Sequence, residues 1–496
     1  MAAKPLMVQG TGSHVGKSVL VAAFCRIFSD DGFEVAPFKA QNMALNSFVT
    51  RAGHEIGRAQ AVQALAARKE PTVEMNPILL KPTSDVGAQV VFLGKPIGNM
   101  TAREYHEFKP KALAAIKRCY EKLAAENDII VIEGAGSPAE INLKANDIVN
   151  MTVAKLFNAP VLLVGDIDRG GVFAWLLGTL ELLEPDEREL VRGFIINKFR
   201  GDLSLLESGL EFLERRTGKP VLGVVPYFRF KIHEEDSVAL EDRRGGNDGE
   251  IKIDVIMLPH VSNFTDFDAL EKEPDVSLRY VSIDESLRAD ADAIILPGTK
   301  NTIYDLLSLR QNGLAAQILR AHERGKFIVG ICGGFQMLGR LVVDESGVES
   351  AVERAEGLSL LDAITFFDTE KTTHQVVAVS NLPFYDGRVE GYEIHMGRTL
   401  SKEQNAFTII KRSADDVLVP DGAFSACVLG TYIHGIFDNH DFRRAFINYL
   451  RQRRGLEPLR SGETWSLEVE FEQLATVVRR SLQIDKIYEI LDVNQR

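Results

Sequence analysis

The sequence predicts an α/β protein of two domains, each a mostly parallel β-sheet flanked by helices, with a helical C-terminal tail. Three observations carry that prediction. In the first half, short apolar runs rich in Val and Ile alternate with amphipathic stretches. After a polar, glycine-rich break the same alternation starts again. Each half also carries a turn motif that belongs between a strand and a helix: "GTGSHVGKS" (10–18) in the first and "GICGGFQMLG" (330–339) in the second.

In chain order, the strands expected in the first domain are 6–10, 34–40, 128–134, 160–166, 191–197 and 220–226. Helical stretches at 16–29, 57–68, 110–125 and 204–217 lie between them. Near-continuous apolar strands separated by helices are those of a parallel sheet covered on both faces. The stretch "EDRRGGNDGE" (241–250) reads as a linker, so the first domain is expected over 1–240. The second series comprises 251–259, 291–302, 326–334, 391–397 and 428–438, giving a domain over 251–445. The tail, 446–496, reads as helices with Trp465 and Leu474 among their apolar positions. The chain has no internal repeat and no low-complexity block.

Bulk properties narrow the function. A net charge of −13 argues against a general partner for nucleic acid or a membrane surface. The four cysteines are far apart with no CxxC pair, which argues against a disulfide framework or structural zinc and for a reducing compartment. No charged start followed by a long apolar stretch suggests a signal peptide, and no apolar window is long enough to span a bilayer. A soluble cytoplasmic protein is expected, with its oligomeric state open.

The first motif departs from the usual phosphate loop G-x-x-x-x-G-K-[ST]. Position 11 is Thr11, and the glycine lies one residue earlier, at Gly10. Gly10, Thr11, Gly12 and Gly16 would still form a turn whose N–H groups face the phosphates of ATP. Lys17 would reach the β/γ-phosphates and Ser18 would sit on Mg²⁺. Glu133, ending a strand in "IEGAGS", suits a Mg²⁺ ligand because that ion takes hard oxygens; a helix-cap or salt-bridge acid is the alternative. Asp166 and Asp168 in "GDIDRGG" end a strand at the same edge, for a second metal or for substrate. The stretch "KAQNMALNS" puts Lys39, Gln41, Asn42, Asn46 and Ser47 past another strand end. They suit phosphate or a ligand with many carboxylates and amides; a capped polar loop is the plain alternative.

The second motif, G-x-C-x-G-x-Q, places Cys332 on a sharp strand-to-helix turn, at a helix N-terminus that favours the thiolate. The N–H of Gly333, with an amide from "PGTKN" (Gly298 or Thr299), would form an oxyanion hole. About a hundred residues on, "GTYIHGIF" puts His434 at a strand end as the base for the thiol.

The form G-T-x-S-x-x-G-K-S resembles the P-loop of dethiobiotin synthetase and its relatives, which use ATP to turn a carboxylate into an acyl phosphate. The resemblance implies a phosphate-directed Lys39, a Mg²⁺-binding Glu133 and, in "INKFRGD", an adenine contact from Asn197. The second half resembles the flavodoxin-like class I glutamine amidotransferase domain. There a cysteine attacks the glutamine amide and releases ammonia through a glutamyl thioester. Most members continue the histidine as H-P-E; here the residues are His434-Gly435-Ile436, so the usual acid is missing. Glu393 in "GYEIHMG" is an acid without an assigned role.

Joined, an acyl phosphate and ammonia make a primary amide. The order of all these motifs resembles the cobyric acid synthases along nearly the whole chain, a branch that lacks the H-P-E glutamate. That resemblance implies a corrinoid substrate, adenosylcobyrinic acid a,c-diamide. It implies amidation at the b, d, e and g carboxylates with ATP, Mg²⁺ and glutamine, in cobalamin biosynthesis. Cobyrinic acid a,c-diamide synthase, another amidoligase and the amidotransferase paired with a cell-wall ligase are the nearest alternatives. A regulatory ATP-binding protein with a degenerate second half is the alternative of another class, opposed by intact Cys332, Gln336 and His434.

Overall fold

The computed structural model describes residues 3–84, 87–228, 248–460 and 466–495. They form two compact units: 3–44, 56–228 and 466–495 make the first, and 45–55 and 248–460 the second. Most of the expected linker, 241–247, lies outside the described residues, as does Trp465.

In the first unit the apolar runs become six strands: β1 (Lys4–Gly10), β2 (Val35–Phe38), β3 (Ile129–Glu133), β4 (Val161–Asp166), β5 (Val191–Phe199) and β6 (Val221–Pro226). Their order is β6-β5-β4-β1-β3-β2, with every neighbour parallel. The winding reverses at β1, so its carboxyl end, where Gly10 sits, is the crevice in which such sheets bind ligands. Alternate side chains of β1 serve the two faces. Leu6 and Val8 pack with Phe24 and Phe28 of the helix Lys17–Asp30, and Met7 packs in the opposite core with Ile130 and Ile132. The other expected helices appear as Arg58–Ala66, Ala102–Glu126 and Glu207–Thr217.

A smaller sheet was not anticipated. Gln41–Met43 pairs with the meander Ile78–Ser84, Gly87–Phe92 and Lys95–Thr101. Lys95–Thr101 is exposed along almost its whole length, so it lacks the apolar alternation by which a half-buried strand is read.

The tail is not one block. Helix His440–Arg453 belongs to the second unit, where Phe442, Phe446, Ile447 and Leu450 are in the core. Helices Leu467–Ser481 and Ile484–Leu491 return to the first unit, and Phe471, Leu474, Val478 and Ile487 enter the core beside the phosphate-loop helix. Arg479 pairs with Asp31 at 2.8 Å, and buried Arg26 pairs with Glu468. The pattern therefore predicts a structural effect far from the loop in sequence. Leu474→Ala, at a fully buried position, is expected to cost about 2–5 kcal/mol. Thermal unfolding of full-length protein should show a lowered midpoint, with glutamine hydrolysis retained below it.

In the second unit, β7 (Ile251–Met257), β8 (Val276–Ser282), β9 (Ala293–Leu296), β10 (Phe327–Ile331), β11 (Ala423–Ser425) and β12 (Val428–Thr431) lie in the order β8-β7-β9-β10-β12-β11. All pairs are parallel except β11 with β12. The stretch "GYEIHMG", expected in the parallel series, lies instead in Arg388–Ser401, the antiparallel partner of Ala363–Ser380. Its mixed buried and exposed positions are those of a sheet with one face on the core.

Candidate active sites

The first site is built at the end of β1. Gly16 has φ 95°, and a Cβ there would lie 2.2 Å from the Asn197 amide nitrogen, so only glycine fits. The helix that follows begins after Gly16 without a side-chain cap, at the end where such loops face phosphates. Lys17 is held over the loop, with Nζ donating to the carbonyls of Gly12 (2.7 Å) and Gly136 (3.1 Å). The Thr11 hydroxyl is buried and finds no hydrogen-bond partner among the described residues, which fits a site completed by a polar ligand.

Glu133, at the end of β3, is the electrostatic centre of this site. Its Oε1 accepts from Ser18 Oγ (2.8 Å) and from Lys39 Nζ (2.9 Å), while Gln63 donates to Oε2. Burial pushes this carboxyl up, but the Lys39 ammonium and the three donors outweigh it and hold it below its ordinary value. A hydroxyl and an ionised carboxylate, already carrying a cation, form a hard-oxygen donor set that fits Mg²⁺.

The second site is built on β10. Cys332 follows it with φ 53° and ψ −111°, a strained conformation for a residue with a side chain, and opens the helix Gly333–Leu338. A Cβ on Gly334 would lie 2.0 Å from the Leu296 carbonyl oxygen, so the elbow closes only with glycine. Gly333 lies against Thr299, and Gly298 lies against the His434 ring, which brings the "PGTKN" loop to both partners. Gln336 braces the elbow by donating to the Met396 carbonyl (3.0 Å) and accepting from Thr302 (3.0 Å).

His434 sits three residues past β12 and is buried, and the Cys332 thiol donates to the Ile394 carbonyl (3.7 Å), on the strand that also carries Tyr392. The His434 Nδ1 is 2.7 Å from Asp266 Oδ2, and Asp266 Oδ1 accepts from the Gly435 N–H at 3.1 Å. Tyr392 stacks on the ring at 5.2 Å. Burial opposes a charge on His434, but the Asp266 carboxylate prevails and raises it to about 10. A Cβ on Gly391 would lie 2.3 Å from the His434 carbonyl oxygen, so this strand approaches the histidine only through glycine.

The two sites coincide with two family matches. Residues 6–236 match the CobQ/CobB/MinD/ParA nucleotide binding domain, and residues 252–442 match the CobB/CobQ-like glutamine amidotransferase domain. Cobyric acid synthase of Thermoanaerobacter sp. (strain X514) is 53% identical over 500 residues, covering 98% of this chain and 98% of the relative. That of Caldanaerobacter subterraneus subsp. tengcongensis is 52% identical, covering 98% of both chains. That of Streptococcus sanguinis (strain SK36) is 51% identical, covering 99% of this chain and 100% of the relative. The chain belongs to the cobyric acid synthase family.

Within this family member, the expected site residues fall into groups. Lys17, Ser18, Lys39 and Glu133 converge as described. Asn197, expected on adenine, donates to the Val15 carbonyl (2.9 Å) and so braces the loop. Its neighbour Lys198, absent from the expected set, donates to the His14 carbonyl (2.6 Å) and pairs with Asp166 (3.0 Å). Asp168 pairs with Arg200 at 2.8 Å. Gln41 accepts from Tyr105, and Asn42 donates to Gln60 (2.9 Å), both in the first unit. Asn46 and Ser47 bond within the second unit: the Asn46 carboxamide oxygen accepts from the Phe264 N–H, and the Ser47 N–H donates to the Asn263 carboxamide oxygen.

Asp266 was missed. It stands 168 positions before His434, on the 3₁₀ turn Phe264–Phe267. The only sequence signal was an acid-rich "NFTDFDALE" following a strand. Glu393, by contrast, is held by two bonds from Arg412 (2.8 and 3.0 Å), with His395 at 3.7 Å.

Proposed function

We propose that this protein makes primary amides from the b, d, e and g carboxylates of adenosylcobyrinic acid a,c-diamide, consuming ATP and glutamine, and yields adenosylcobyric acid. The observation that carries this reading is one chain holding both a Lys17–Glu133 phosphate site and a Cys332–His434–Asp266 set, while matching cobyric acid synthases over nearly its full length.

In the glutaminase half-reaction, Asp266 fixes the Nδ1–H tautomer of His434 and leaves Nε2 for the thiol. With the thiol proton on His434, the Cys332 sulfur attacks the glutamine side-chain carbonyl carbon. The N–H groups of Gly333 and of Gly298 or Thr299 receive the oxyanion. His434 returns the proton to the departing nitrogen, ammonia leaves, and water hydrolyses the glutamyl thioester to glutamate.

In the synthetase half-reaction, Gly10, Thr11, Gly12 and Gly16 cradle the ATP phosphates, with Lys17 and Lys39 countering their charge. Ser18 and Glu133 would hold Mg²⁺, which supplies charge neutralisation on the phosphates. A corrinoid carboxylate oxygen takes the γ-phosphoryl group and releases ADP. Ammonia then attacks the acyl carbon, the C–O bond to phosphate breaks, and the amide remains. Gln41, Asn42, Asp166 and Asp168 are our assignment for phosphate or substrate contacts, and Asn197 for the nucleotide.

Among the described residues no helix is long and apolar enough to cross a membrane. Incubation with Mg-ATP, glutamine and adenosylcobyrinic acid a,c-diamide, followed by mass spectrometry of the corrinoid, tests the reading. A ladder of carboxyl-to-amide steps ending at the fourth is expected. ATP-dependent glutamine hydrolysis with no corrinoid change would refute the substrate and leave the chemistry.

A further inference from the structure

Residues 45–55 lie inside the stretch that matches the nucleotide binding domain, yet they pack in the second unit. Two reciprocal bonds fasten them to the segment leading to Asp266. The Asn46 carboxamide oxygen accepts from the Phe264 N–H (3.1 Å), and the Asn263 carboxamide oxygen accepts from the Ser47 N–H (2.9 Å). Asn263 has φ 53°, a left-handed conformation that sets the direction in which the 3₁₀ turn carrying Asp266 begins. Both asparagines are buried.

The same segment supports the histidine from its other side. Phe48 packs on Tyr392 with ring centroids 6.0 Å apart, and Val49 shares a small apolar cluster with Tyr392 and Ile394. Tyr392 is the ring stacked on His434. Glu55 closes the segment by accepting from Ser47 (2.8 Å) and pairing with buried Lys371 (2.6 Å). The segment thus touches both the carrier of Asp266 and the ring that covers His434, without belonging to the amidotransferase match at 252–442.

Resting on the glutaminase reading above, we propose that Asn46 is a positioning residue for the Asp266–His434 pair, so that residues 45–55 are a working part of the amidotransferase. Asn46 acts through the Phe264 N–H: its oxygen fixes the start of the turn, and the turn fixes the carboxylate that orients the imidazole. Loss of that oxygen lets the pair drift from its attack geometry without altering the surfaces that bind glutamine. Drift of this kind lowers kcat and leaves KM in place.

The test uses the full-length protein and two variants, Asn46→Ala and Asn46→Asp. The second keeps an acceptor oxygen at the same position. Glutamine hydrolysis by Asn46→Ala should fall about ten- to a hundredfold in kcat with KM unchanged, since small misplacements of reacting groups have effects of that order. Ammonia-supported amidation by the same variant should match wild type, and Asn46→Asp should recover most of the glutaminase rate. Unchanged hydrolysis in Asn46→Ala, an equal loss in Asn46→Asp, or parallel loss of ammonia-supported amidation would each overturn the assignment. Failure of the underlying reading looks different: wild-type protein would then hydrolyse no glutamine at all.

Discussion

Asp266→Asn is expected to reduce glutamine hydrolysis by about 10²–10⁴-fold, the range lost when a positioned acid–base group is removed. Cys332→Ser sets the floor for comparison. The asparagine fits the same space, so the loss reports charge and tautomer. Its amide nitrogen, turned to Nδ1, would stabilise the wrong imidazole tautomer and present Nε2–H to the thiol. Ammonia-supported amidation should persist, because the missing step lies upstream of ammonia.

The pH profile separates this effect from simple loss of structure. His434, ordinarily near 6.5, is raised to about 10 by Asp266 against the opposing effect of burial. A raised histidine keeps its ion pair fully formed below about 6.5, and the stabilisation is lost as pH rises through about 10. Wild-type hydrolysis should therefore hold its imidazolium through neutral pH and fall only on the alkaline side. In Asp266→Asn that alkaline limb should move to lower pH. An unmoved limb, measured on the residual activity, would refute the role given to this carboxylate.

Glu133→Gln should give the opposite pattern. Amidation is expected to fall about a hundredfold or more with either glutamine or ammonia, because charge placed at the phosphates is commonly worth that much. Glutamine hydrolysis should survive in the same preparation. The substitution also removes the carboxylate charge 2.9 Å from the buried Lys39 ammonium. Removing one member of a buried pair costs about 3–5 kcal/mol, so the thermal midpoint should drop as well. Adding Lys39→Met should restore much of that stability and none of the amidation, as a double-mutant cycle would show. Recovery of amidation by the double variant would place the catalytic charge elsewhere.

The contrast between these two carboxylates explains what could be read from the sequence. Glu133 ends an apolar strand beside a phosphate-loop motif, and Cys332 occupies a contiguous elbow, so both were visible as local patterns. Strand β12 was equally visible and led to His434. Asp266 was not, because its meaning depends on a contact 168 positions away, across a fold whose registers no local pattern specifies. The contacts of Lys198 and Asn46 were not legible for a related reason. Each follows a legible strand or lies in a legible loop, but each bonds a backbone group, and backbone groups leave no mark in sequence. The long antiparallel hairpin 363–401 and the meander 78–101 were missed because strands with one solvated face lack the continuous apolar run of the parallel strands.

The returning tail bears on how the chain is born. Residues 467–491 complete the core against the phosphate-loop helix, yet they are synthesised after every described residue of the second unit. The second unit needs nothing beyond residue 460 among the described residues, and its early segment 45–55 is long since available. Emerging from a ribosome, the chain therefore holds all of its second unit before its first can close, reversing the usual order in which the N-terminal domain folds first. A stop just after residue 460 would accordingly strike the phosphate-binding unit, although every residue of the phosphate loop had already been made.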